Sequence, residues 1–134
     1  MVDIFKYSRV FTTESGASDI ESVSVQFTMR DYAPPAPVLE VSATTSASSA
    51  SFLRLARGWS GDWHPSPWRQ WLFLLEGEIE FEVGSGKRLA ASPGAVVLLE
   101  DTTGRGHRSR VVGQSAVVIA AVRADAPGSA PDAA

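Results

Sequence analysis

Between Glu78 and Val83 apolar and acidic residues alternate without a break, with Ile79, Phe81 and Val83 on one face and Glu78, Glu80 and Glu82 on the other. A period of two is the signature of a half-buried strand. The Gly84-Ser-Gly86 turn followed by Lys87 makes it the first arm of a hairpin. Nothing apolar shares the face of the glutamates, so they read as a solvated face rather than as an acid/base pair. Elsewhere short segments rich in Val, Leu, Ile and Phe are punctuated by glycine, proline and small polar residues. They predict further strands at Val23–Met29, Val38–Ser42, Ser51–Leu55, Trp68–Leu75, Lys87–Ala90, Ala95–Glu100, Arg108–Val112 and Ala116–Val122. No window carries a long amphipathic helix capped at both ends. The pattern is that of an all-β barrel or sandwich. An N-terminal arm with strand character precedes it, joined through Ala43–Ala50, which composition marks as weakly structured. Residues 1–123 are expected to form one domain, and 124–134, with prolines and several alanines, a disordered tail.

A chain of 134 residues, 44% hydrophobic and 20% charged, can bury a core as one soluble domain. No apolar run approaches the roughly 20 residues of a membrane helix. Asp3, Lys6 and Arg9 interrupt the N-terminus where a secretory signal would be apolar, so a cytoplasmic address without membrane contact is expected. Net charge is −3, and the longest basic cluster is Arg105 to Arg110 around His107. A nucleic-acid partner would need a broader basic face. Cysteine is absent, which removes disulfides, thiolate ligands and a thiol nucleophile together.

Two spaced motifs narrow the fold. Gly58 is followed by five residues and His64, then Ser66, three residues, Gln70, six residues and Gly77. This spacing resembles the first motif of the cupins, with Ser66 in place of its second histidine and Gln70 in place of its glutamate. Pro93-Gly94 and Thr102-Thr-Gly104-Arg-Gly-His107 resemble the second, with Val111 in place of its asparagine. Small single-domain bacterial cupins also carry stretches like Ala33-Pro-Pro-Ala-Pro37, Trp59-Ser-Gly-Asp-Trp-His-Pro65 and Glu100-Asp-Thr-Thr-Gly104. The resemblance implies a double-stranded β-helix, or jelly-roll barrel, whose interior holds a small molecule. Function within that group is diverse.

Alternation puts His64 and Ser66 on one face and continues it through Trp68, Gln70, Leu72 and Leu74, provided no bulge intervenes at Pro67. By the resemblance this face points inward and meets His107 from a neighbouring strand. Two imidazoles and a neutral amide are a weak metal set. A weakly bound divalent metal on His64, Gln70 and His107, a buried hydrogen-bond network, and a substrate-polarising cluster all remain open. Trp68 stands where relatives carry arginine, and an inward indole would suit an apolar, conjugated ligand. Trp63, Arg54, Tyr32, Ser66 and Leu72 are further candidate walls. Trp59 and Trp63 equally suit packing, and Arg54 a solvated surface. Trp71 and Phe73 fall on the opposite face, so their cover is expected to come from a homodimer.

Three functions compete. A metal-independent cyclase or isomerase of polyketide-like intermediates would use His64, Gln70 and His107 to hold carbonyls, including for a pericyclic closure. Holding reactive groups in contact can lower a barrier by up to about 7–11 kcal/mol. The alternatives are a metal-dependent oxygenase or lyase and a non-catalytic ligand-binding sensor.

Overall fold

In the computed structural model, which describes residues 3–125, every regular element is a strand. The alternating segment forms β7 (Glu78–Val83), with Ile79, Phe81 and Val83 at most 2% exposed. It lies between β8 (Arg88–Ala91) and β10 (His107–Val112) in a three-stranded antiparallel sheet. Its glutamates do face water. Glu80 and Glu82 pair across the strands with Arg88, Arg108 and Arg110, a ladder worth a few tenths of a kcal/mol to about 1 per pair.

The opposing sheet has six strands in the order β2 (Ser18–Ser24), β1 (Lys6–Thr12), β9 (Val96–Leu99), β6 (Gln70–Glu76), β11 (Val117–Ala124) and β5 (Ala47–Leu55). Val10, Leu72, Leu74, Val97, Leu99, Val117 and Ile119 project from it onto Ile79, Phe81, Val83 and Val111 of the smaller sheet. Each such fully buried side chain contributes about 1.5–3 kcal/mol, so this apolar layer is what holds the two sheets as a barrel. Among the described residues no helix is long and apolar enough to cross a membrane.

Three local expectations are corrected. The N-terminal arm finds a partner within the barrel: β1 runs parallel to β9, with Val10 opposite Leu99, and carries β2 with it. The segment 43–50 is not wholly irregular, because β5 begins at Ala47 and takes its register from β11. Ala124 belongs to β11 and donates its N–H to the Arg69 carbonyl at 2.9 Å, so the last strand runs past residue 123. The tail expected beyond it, from residue 126, lies outside the described residues. A short hairpin of β3 (Thr28–Arg30) and β4 (Leu39–Val41) pairs only with itself and projects from the barrel as the true arm.

Candidate functional site

Strand β10 and the irregular segment 59–66 run side by side at one end of the barrel. His64 N donates to His107 O at 3.0 Å and His107 N returns the bond to His64 O at 3.1 Å. Gly106 permits this approach. Its φ is +76°, and a Cβ there would stand 2.0 Å from the His64 carbonyl oxygen. The two imidazoles are thereby brought to 5.0 Å between ring centroids. His64 stays exposed at the mouth, its Nδ1 2.9 Å from the Asp62 carbonyl oxygen, whereas His107 is 3% exposed and packs edge-on to Phe81.

Ser66 and Gln70 join them. Ser66 is buried; its N–H donates to the Asp101 carbonyl at 2.9 Å and its hydroxyl to the Trp68 carbonyl at 2.7 Å. Gln70 Nε2 in turn donates to Ser66 Oγ at 3.2 Å. Leu72, two residues further along the same inward row, is core. The cluster so formed joins His64 to His107 and Ser66 to Gln70, the two pairs meeting through Asp101, and Leu72 lies beyond Gln70.

Its most buried member was not among the expected residues. Asp101 is wholly inaccessible to solvent, and its Oδ2 lies 2.6 Å from His107 Nδ1. A carboxylate only accepts, so His107 Nδ1 carries the proton and Nε2 is left as the free acceptor on the other side of the ring. Asp101 Oδ1 is buried without a hydrogen-bond partner, an arrangement costly enough to need a reason beyond packing. The sequence signal was the Glu100-Asp-Thr-Thr-Gly104 stretch six residues ahead of His107.

Glu100, beside Asp101, anchors the loop from the outside. It accepts ion-paired hydrogen bonds from Arg9 and Arg69, and its own N–H bonds to Val10 O at 2.7 Å. Burial pushes the Glu100 carboxyl up, but bonds from Arg69 and Arg9 outweigh it and hold the group below the ordinary glutamate value of 4.5. A folded pKa below the unfolded one stabilises the fold at pH above 4.5 and loses that contribution as pH falls through the folded value. Glu100→Gln should therefore cost about 1–3 kcal/mol at neutral pH, with the gap to the parent closing on acidification. Melting temperatures of both proteins at pH 7 and pH 3 check this; an equal gap at both would exclude the linkage.

Four expected site residues lie elsewhere. Trp68 does not point inward: the chain bends at Pro67 and Trp68, breaking the alternation, and the indole stands 43% exposed beneath Arg123 at 4.7 Å. It lines an outer cleft of about 860 Å³ with Arg9, Glu100 and Thr102. Trp63 lies under Arg105 and Arg108, at 4.3 and 5.1 Å from its ring, on the outer surface. Arg54 is exposed on the outer row of β5, opposite Val118. Tyr32 belongs to the projecting arm and faces Trp71 and Phe73 across a groove of about 710 Å³. Trp59 caps Gly61, whose added Cβ would meet the indole at 2.7 Å. Neither of these two clefts is lined by His64, Gln70 or His107. Leu53, in the inward row of β5 opposite Ile119, is 41% exposed.

A double-sheet β-barrel with a small polar cluster set in one end of an apolar interior is the class that fold and site define. The cupin domain model matches residues 51–123, and the chain belongs to the cupin family, with its jelly-roll fold. Similar solved structures include the cupin domain of Schizosaccharomyces pombe Cnp3, 17% identical over 93% of this chain and 86% of that one, with a TM-score of 0.47. Protein NMB1881 from Neisseria meningitidis is 13% identical over 57% of this chain and 72% of that one, with a TM-score of 0.44. No curated protein matches the chain.

The donor set does not fit the metal of a metal-dependent cupin. Two of the three motif ligands are replaced by Ser66 and Gln70, the Gln70 amide is engaged by Ser66, and Asp101 is held by His107 Nδ1. Among the described residues no three His, Cys, Asp or Glu side chains converge. The chemistry available to these residues is hydrogen bonding and proton transfer.

Proposed function

We propose that this cupin is a cyclase or isomerase of an apolar, conjugated carbonyl compound of the polyketide type, working by orientation and proton transfer without a redox metal. The observation that carries the reading is the buried Asp101–His107 pair, which leaves one imidazole nitrogen as a directed proton acceptor among apolar side chains. His107 Nε2 takes a proton from the carbon next to a carbonyl, and the C–H electron pair passes into an enolate. The second N–H of Gln70, whose first goes to Ser66 Oγ, donates to that oxygen. Attack of the enolate carbon on a second carbonyl of the same chain closes the ring, and His107 returns its proton to the new alkoxide. Without a second carbonyl, return of the proton at another carbon gives the isomer. Leu72, Leu99 and Phe81 supply the apolar surroundings that favour a greasy substrate.

Proton exchange at the carbon next to the carbonyl of an aryl alkyl ketone, followed by NMR in D₂O, reports the first step directly. The protein should accelerate exchange, His107→Ala should reduce it to the uncatalysed rate, and dialysis against a chelator should leave it unchanged. Exchange that survives His107→Ala, or that a chelator abolishes and zinc, iron or manganese restores, would overturn the proposal.

A further inference from the structure

The loop from Asp101 to His107, which carries both members of the buried pair, is gripped by a part of the chain far away in sequence. Thr12 Oγ1, at the end of β1, donates to the Thr103 carbonyl at 3.2 Å. Gly104, with φ at +72°, lies so close to the turn between β1 and β2 that an added Cβ would stand 2.4 Å from the Gly16 carbonyl oxygen. Turn and loop therefore meet backbone to backbone.

Ser18, the first residue of β2, closes this contact. It is 1% exposed, and its hydroxyl donates to the Gly106 carbonyl at 2.7 Å and accepts from the Gly84 N–H at 2.8 Å. Its own carbonyl accepts from the Ser85 N–H at 2.9 Å. One buried side chain thus ties the N-terminal hairpin and the β7–β8 turn to the residue before His107. The Gly106 carbonyl and the His107 N–H belong to one peptide plane and, in a trans peptide, point opposite ways. Ser18 holds the oxygen end, and the His64 carbonyl accepts from the nitrogen end at 3.1 Å. Such a plane turns most freely beside a glycine, and Gly106 is the glycine here. Pinned at both ends, the plane fixes where the Cα–Cβ bond of His107 points, and the two bonds polarise each other through the peptide.

We propose that Ser18 is a positioning residue, its hydroxyl fixing the Gly106–His107 peptide so that the His107 imidazole is set against His64. The N-terminal hairpin thereby completes the site. The consequence for catalysis rests on the proton-transfer reading above; the placement of His107 does not.

Ser18→Ala removes the hydroxyl without adding volume. Val117→Ala, in the core beside Gly77 at the end of β6 away from Gln70, serves as the control for lost stability. In Ser18→Ala the His107 amide proton should move upfield in the NMR spectrum and exchange with solvent about 10-fold faster or more, as its bond to His64 loosens. Proton exchange on the aryl alkyl ketone should slow by about 10- to 100-fold, the loss that a small misplacement of a reacting group brings. Val117→Ala should lower the melting temperature at least as far and keep the parental amide shift and rate. A Ser18→Ala protein with the parental His107 amide signal overturns the proposal, as does the same shift in Val117→Ala or a shifted amide with an unchanged rate in an active parent. Should the parent lack exchange activity, the proton-transfer reading fails and the amide signal still decides the role of Ser18. Should Ser18→Ala fail to fold, Ser18→Cys, which keeps a weak donor, replaces it with the same expected changes in smaller measure.

Discussion

Asp101→Asn should slow the proton-exchange reaction by about 10²–10⁴-fold while leaving the protein folded. The side chains are nearly the same size, so packing around the buried position is kept. What changes is the direction of the bond to His107 Nδ1, now 2.6 Å from a carboxylate oxygen. An amide N–H placed there donates, Nδ1 becomes the acceptor, and the proton moves to Nε2. The nitrogen that should take the substrate's proton then already holds one. Nitrogen NMR of His107 reads this tautomer directly and separates the positioning role from a structural one, because a loss of stability alone would not invert it. The stability change should stay within about 1–3 kcal/mol, since one buried hydrogen bond changes partner type and Oδ1 was already unsatisfied. Trp68→Phe, on the outer cleft, serves as the control and should keep the parental rate. An Asp101→Asn protein with parental rate would remove Asp101 from the mechanism.

How far the sequence could be read depended on whether a residue's neighbours in sequence were also its neighbours in space. The β7 hairpin was legible because strict alternation and a Gly-Ser-Gly turn define it locally. The His64, Ser66 and Gln70 spacing survived as a real cluster for the same reason, being one segment plus one partner strand. Trp68 was misplaced because two prolines, Pro65 and Pro67, interrupt the strand and the period of two does not carry across them. Asp101 was missed for a different reason, although its stretch was noticed. Next to Glu100 it reads as half of a solvated acidic pair, and only the fold turns one carboxylate outward to Arg9 and Arg69 and the other inward to His107.

The N-terminal strands show the same limit at longer range. Lys6 and Arg9 give β1 a mixed pattern, and its parallel partner β9 lies some ninety residues away, so nothing local announces the pairing. In the stretch ahead of β5, serines and alanines carry little strand propensity. The register there is imposed by β11, a tertiary effect that outweighs local preference.

Gly106→Ala should be the most damaging small substitution in the chain, costing at least about 3 kcal/mol and lowering the melting temperature by about 10 °C or more. Two penalties coincide. The φ of +76° is one that a side chain resists, at about 1–2 kcal/mol. The added methyl would also lie 2.0 Å from His64 O, 2.3 Å from His64 C and 2.4 Å from Pro65 Cα. All three are backbone atoms, so no rotamer change can relieve the overlap. The segment carrying His64 would have to move away from β10, breaking the reciprocal bonds to His107 and straining the 2.7 Å bond from Ser18 Oγ to the Gly106 carbonyl. The imidazoles would separate with it, so exchange activity should fall along with stability. Gly86→Ala isolates the first penalty, since φ there is +93° and an added Cβ meets nothing within 4 Å. That variant should lose only about 1 kcal/mol and keep its activity. Equal losses in the two variants, by melting temperature and by yield of soluble protein, would show that the close approach of His64 to His107 does not depend on the missing side chain.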